Sequence, residues 1–232
     1  QVMIINTMSI EEMQTEVEKD SNALYAKIRH LGEENRRFYI KSTKFPAYKT
    51  FKWTSRITNN EWNIIILARD KKETPHPAFI PYVKYQSYGV GVVYMRPVDE
   101  RILTITYTPH LFHRYRERYL GESGNGLTTD EIINDMFIHS SIPTYDFTSA
   151  KDKFVIHIAQ GLILGDYNDD RTRLTAKTFV AKDMLFSSQE SVDSEAVEMI
   201  ELIKKSVQYK TNQKSPYGVD GITGEIFEAR LF

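Results

Sequence analysis

"RILTITYTPHLFHRYRERYLG", residues 101–121, changes its period midway, and the change sets the fold class. Up to Tyr107 the side chains alternate. Ile102, Thr104 and Thr106 face away from Leu103, Ile105 and Tyr107, which is the two-residue repeat of a strand. From Thr108 the repeat becomes helical. Thr108 is a good N-cap, and Pro109 falls at the first helical position, where a missing N–H costs nothing. The spacing predicts a helix from 109 to about 120, stopped by Gly121.

Working outward, "YGVGVVYMRP" (88–97) pairs with 101–109 as a hairpin turning through Val98-Asp99-Glu100. Upstream, "KTFKWTSRIT" (49–58) and "EWNIIILARD" (61–70) read as two strands joined at Asn59-Asn60. Between these hairpins, "KKETPHPAFIPY" (71–82) reads as a proline-rich loop. At the start, Ser9 and Glu12 form a capping box for a helix over 9–31, which Gly32 ends. Downstream, Thr128 or Thr129 caps a second helix, "TDEIINDMFIHS". Strands follow at 153–160, 162–167 and 173–182, the last two joined by "YNDDRT". An amphipathic helix is expected over 189–208 and a short hairpin near Asp220-Gly221. Strands that follow one another with few crossovers predict an α+β fold: antiparallel sheet with helices packed on one side.

The chain has 232 residues, 41% hydrophobic and 26% charged, enough to bury a core without disulfides. Its net charge of −1 exerts no global pull on nucleic acid or lipid, so any such affinity must come from a local basic patch. The absence of cysteine excludes thiolate metal sites and a cysteine nucleophile. No apolar run is long enough to span a bilayer, and the first twenty residues lack the layout of a secretory signal. A cytoplasmic protein without membrane partners is expected.

On a helix advancing about 100° per residue, Leu111, Phe112, Tyr115 and Tyr119 share one face, and His110, His113, Arg114, Glu117 and Arg118 share the opposite one. Two imidazoles can exchange protons near neutral pH, and guanidinium groups match phosphate oxygens. Glu117 would orient an imidazole or neutralise an arginine. An ordinary solvated face shows the same pattern, and Glu117 is then half of a surface ion pair of little worth. His110-x2-His113 lacks the His-Glu-x-x-His pattern of helix-borne zinc sites, so no metal or cofactor is expected. The glycines of "GLILGDYNDD" lack a Gly-Lys-Ser/Thr ending and read as strand bends or close approaches. His157 alternates with Val155 and opposes Phe154 and Ile156, so off an apolar core face it is either a partly buried, hydrogen-bonded structural histidine, the commoner case, or a group that meets the polar stripe.

"TPHLFHRYRERYLG…LTTDEIINDM", followed by strands ending in "KTFVAK", resembles the toxin-ribonuclease superfold of RelE-, barnase- and colicin-like proteins. The likeness covers about residues 104–182. His110, Arg114, Glu117 and Arg118 match the His-x3-Arg-x2-Glu-Arg helix of families within it, and Lys177 and Thr178 lie where the last strand often carries a polar or basic functional group. The resemblance implies metal-independent endoribonuclease activity. His110 would take the proton of a ribose 2′-OH that attacks the adjacent phosphate. Arg114, with Arg118 or Lys177, would stabilise the charge that builds, and His157 or His113 would protonate the leaving 5′-oxygen. Tyr107 or Tyr145 would stack a base. Possible partners are RNA and an inhibitor or antitoxin protein. The alternative is a non-catalytic binding or regulatory protein using the same stripe. The expected layout is a helix and hairpin region over 1–98, a ribonuclease-like core over 99–188 and a C-terminal helix and tail over 189–232, with one continuous domain as the alternative.

Overall fold

The computed structural model describes residues 4–98, 101–140, 143–147, 152–168 and 171–185. The expected helix over 189–208 and hairpin near 220 lie outside these residues. Among the described residues nine strands form one sheet: β1 (Ala47–Thr54), β2 (Glu61–Ala68), β3 (Ala78–Gln86), β4 (Val90–Val98), β5 (Arg101–Tyr107), β6 (Thr144–Phe147), β7 (Lys153–Ile158), β8 (Gly161–Tyr167) and β9 (Arg173–Ala181). The order is β1-β2-β3-β4-β5-β9-β8-β7-β6. Every pairing is antiparallel except β5 with β9, which run parallel. The sheet is therefore mixed, and it runs unbroken through both 1–98 and 99–188.

Among the described residues four α-helices cover it: α1 (Ile10–Glu18), α2 (Ser21–Lys41), α3 (Pro109–Tyr115) and α4 (Thr129–His139). They do not share one side, as the sequence reading expects. Leu111, Phe112 and Tyr115 of α3 and Ile132, Ile133, Met136 and Phe137 of α4 pack with Ile65, Leu67, Ile105, Phe154 and Ile156. Met13 and Val17 of α1 and Leu24, Ile28 and Leu31 of α2 pack with Ile64, Ile66, Val93 and Met95. Successive residues of β2 thus enter opposite cores, which is why "NIIILA" is apolar at consecutive positions rather than alternate ones. Full burial of each such side chain contributes roughly 1.5–3 kcal/mol.

The first helix is broken where the reading expects continuity. Ser9 forms the capping box with Glu12, but α1 ends at Glu18 and α2 starts at Ser21. Asp20 sits between them, wholly buried, and its carboxylate accepts from Ser55 Oγ (2.5 Å), Thr58 Oγ1 (2.6 Å), Asn60 Nδ2 (3.3 Å) and Trp62 Nε1 (2.8 Å). A buried carboxylate is tolerable only when it is so bonded. Turning that side chain toward the β1–β2 hairpin takes precedence over helix continuity. Beyond it, α2 runs through Gly32 to Lys41, with the Phe79 ring 3.0 Å from where a Cβ of Gly32 would be.

The expected loop over 71–82 is also corrected: from Ala78 the chain is strand, with Pro81 opposite Ile64. Pro81 has no N–H for the ladder, yet Ile80 and Tyr82 enter one core and Val83 and Tyr85 the other, and that burial outweighs a lost backbone bond. The short strand β6 has no clear period in the sequence.

A polar latch ties α1 to the parallel junction. Arg173 donates to both oxygens of Glu18 (3.0 and 2.6 Å), which also accepts from Thr104 Oγ1 (3.0 Å). Buried Gln14 donates to Thr106 Oγ1 and to the Leu174 carbonyl, each at 3.0 Å.

Candidate functional site on helix α3

The helix begins where the parallel ladder ends. Thr108 Oγ1 accepts from the Leu111 N–H at 3.3 Å, and Pro109 occupies the first turn. The Thr108 N–H donates to the Ala176 carbonyl (3.1 Å) and its hydroxyl to the Lys177 carbonyl (3.1 Å), so β9 fixes the start of α3. Leu111, Phe112 and Tyr115 are buried beneath. Tyr107 is 5% exposed, stacked on Phe112 and edge-on to Phe137. It is a core residue, which corrects its reading as a base-stacking group.

The α-helix stops at Tyr115, short of the expected 120. The chain then widens, with the Gly121 N–H donating to the Arg116 carbonyl, and Gly121 takes a φ of 52°. Such an i→i+5 turn rotates the residues after 115 relative to an unbroken helix. Arg118 is turned toward β9, where its Nη1 donates to the Phe179 carbonyl at 2.6 Å, while its charge still reaches Glu117.

Arg114 lies at the middle of what remains. Its Nη1 donates to Glu117 Oε2 at 2.8 Å, and its Nε approaches His110 Nε2 at 3.4 Å. His110 and His113 are exposed, and both precede Arg114 in the chain. The Arg114 hydrogen bond holds the Glu117 carboxyl below its usual range, against desolvation and with the help of the charges of Arg114, His113 and Arg118. The arrangement is a largely covered cation with the His110 imidazole against it and an exposed edge suited to an anionic ligand arriving from solvent.

His157, Thr178 and Lys177 do not join it. Phe154 and Ile156 point into the core shared with α3, so alternation places His157 on the other face of the sheet. Thr178 pairs with Leu164 in register on that same far face. Lys177 is the extra residue of a β-bulge, since Leu164 pairs with Thr178 and Gly165 with Ala176. Its ammonium pairs with Asp166, which also binds Lys153 Nζ at 2.6 Å. Partial burial alone would raise the Asp166 carboxyl; the hydrogen bonds and charges of Lys153 and Lys177 outweigh it and hold the group below its ordinary range. The backbone of Tyr145 lies in β6 opposite Ile156, and its side chain is outside the described residues.

No family model, curated protein or solved structure matches the chain.

Among the described residues no group of three His, Asp or Glu could hold a metal ion, and no helix is long and apolar enough to cross a membrane. One groove of about 610 Å³ lies between the end of α2 and the start of β1, and another of about 260 Å³ lies between α1, the β3–β4 turn and Thr108-Pro109 at the start of α3. One chain of polar groups escaped the sequence reading. Tyr115 Oη donates to Asp135 Oδ2 (2.8 Å), whose Oδ1 lies 2.8 Å from His139 Nδ1. Burial, then the Asp135 contact, pushes the Tyr115 hydroxyl far up, so it remains a donor tying α3 to α4. The i, i+4 spacing of Asp135 and His139 was its only sequence signal.

Proposed function

We propose that the protein binds RNA, with the outer face of α3 holding a phosphate group. The single observation that carries this is the chain of side chains His110–Arg114–Glu117, which keeps a guanidinium and its neighbouring imidazole together on an exposed surface. Holding a phosphate asks for no group opposite the helix. Arginine gives a fixed fork of donors, and the imidazoles add donors when protonated.

Metal-independent endoribonuclease action is a second reading. The order of elements over 101–181, a strand, two helices and then successive antiparallel strands, favours it, because the resemblance to the RelE- and barnase-like ribonucleases implies that order. In this reading His110 deprotonates the 2′-hydroxyl, Arg114 faces the charged phosphate and His113, the nearer of the two acids considered, protonates the leaving oxygen. His157 and Lys177 have no part in it, because they serve the far face.

Incubating end-labelled RNA with the protein in chelator, beside His110→Ala, tests both readings. Retarded but intact RNA, with weaker retardation by the variant, is the expected result. Cleavage by the parent and not by the variant selects the second reading. RNA neither retarded nor cut rejects both.

A further inference from the structure

Between Glu34 and Glu61 the chain carries seven basic residues (Arg36, Arg37, Lys41, Lys44, Lys49, Lys52 and Arg56) and no acidic one, in a protein whose net charge is −1. The fold gathers part of this run around the groove of about 610 Å³, whose walls include Arg37, Phe38, Lys41, Lys44 and Tyr48. From these observations we infer that this groove is a second, independent site, one that binds single-stranded nucleic acid.

Three features separate the groove from an ordinary charged surface. First, the expected use of cations at a helix end is already filled. Lys71 Nζ donates to the Ile40 carbonyl (2.7 Å) and the Ser42 carbonyl (3.4 Å), so Lys41 and Lys44 are not needed to satisfy the end of α2. Second, no carboxylate among the described residues forms an ion pair with Arg37, Lys41 or Lys44, and all three are exposed. Third, two large aromatic side chains stand in solvent beside them, Phe38 at 38% and Tyr48 at 46% exposure. Phe38 is held in place, with the Lys49 ammonium 4.6 Å from its ring centre and that ammonium anchored to Asn35 Oδ1 at 2.9 Å.

Cations that track phosphates, alternating with aromatic faces on which bases stack, are the two parts of a single-strand platform. A duplex hides its base faces and leaves Phe38 and Tyr48 without a role, so the ligand is unpaired. The outer edge of β1 offers another use, addition of a peptide strand, but Lys49 and Lys52 on that strand are the usual guard against such pairing. The groove does not rest on the reading of α3. Five strand spacings of about 4.8 Å separate β1 from β9, so the two places are on the order of 24 Å apart across the sheet.

Fluorescence anisotropy with labelled U12 RNA and dT12 DNA tests the inference, with full-length parent, Arg37→Ala/Lys41→Ala/Lys44→Ala, Phe38→Ala/Tyr48→Ala and Arg114→Ala proteins. The charge variant is expected to bind both oligonucleotides at least tenfold more weakly. Its slope of log affinity against log salt should fall by about 2, at roughly 0.7 for each phosphate that is no longer neutralised. The aromatic variant should lose roughly tenfold with the slope unchanged. Binding of U12 alone keeps the site and makes the ligand RNA. Should the triple variant melt early, Lys44→Glu alone, in the loop after α2, carries the same test. Parent-like affinity in both groove variants overturns the inference, including the case in which only Arg114→Ala weakens binding. So does tighter binding of a polyglutamate peptide than of either oligonucleotide, or no oligonucleotide binding by the parent at low salt.

Discussion

Arg114 and His157 lie on opposite faces of the nine-stranded sheet. Arg114 rides on the outer side of a helix that covers Phe154 and Ile156, while His157 alternates with those residues and points away. A role shared between them is therefore closed by backbone geometry. His157→Ala should leave RNA affinity within twofold of the parent, whereas Arg114→Ala should weaken it by about tenfold to a hundredfold, the worth of a charge-assisted hydrogen bond. A gel-shift titration of both variants checks this. Equal losses would show that the two faces act together.

Asp20 is the buried keystone of the α1–α2 break, with four neutral donors converging on it. Asp20→Ala strands those donors without an acceptor. The expected cost is about 3–5 kcal/mol of unfolding free energy, by analogy with the loss of one partner from a buried polar network. Urea denaturation measures it, and a cost below about 1 kcal/mol would mean the hydroxyl, amide and indole groups find other acceptors.

Two glycines of β8 are fixed by their neighbours. A Cβ on Gly165 would lie 2.0 Å from the Thr175 carbonyl oxygen, and one on Gly161 would lie 2.1 Å from that of Val180. Both obstacles are backbone, which cannot swing aside as a side chain would. Either change to Ala should destabilise by about 1–3 kcal/mol or more, as overpacking does. Thermal melts of the two variants at parent-like Tm would refute the close approach.

The Lys153–Asp166–Lys177 cluster makes part of the stability depend on pH. Because the folded state holds the Asp166 carboxyl below its unfolded value of about 3.9, its contribution is complete above that value and is lost as pH falls through the lower native one. Lys153→Met/Lys177→Met should flatten the acid limb of the stability profile. Identical acid limbs in parent and variant, followed by urea midpoints from neutral pH downward, would remove Asp166 from the account.

Local signals in the sequence were reliable where one local interaction decides. The Thr108-Pro109 start of α3 and the Ser9–Glu12 box form as read, and β4 pairs antiparallel with β5 as the hairpin reading expects, with Val98 in the strand rather than in the turn. Of the two readings of the β8 glycines, strand bends or close approaches, the close approach is seen at both. What escaped depends on partners distant in the chain. Asp20 breaks a helix because of residues 35 to 42 positions away, and Pro81 enters a strand because two cores need its neighbours. The consecutive apolar residues of β2 did carry the sign of helices on both faces, but a single run cannot name what covers each side. At the site, the polar spacing of α3 located His110, Arg114 and Glu117, whereas the wide turn after Tyr115 that turns Arg118 toward β9 has only Gly121 to announce it.

Imidazole resonances report the α3 surface residue by residue. The chain has six histidines, and single His→Ala variants assign their ring signals. In a titration with a short RNA followed by NMR of the imidazole nitrogens, the His110 and His113 signals should shift in a saturable way while that of His157 stays in place. Shifts confined to other histidines, with His110 and His113 unmoved at saturating RNA, would contradict the assignment of phosphate binding to this helix.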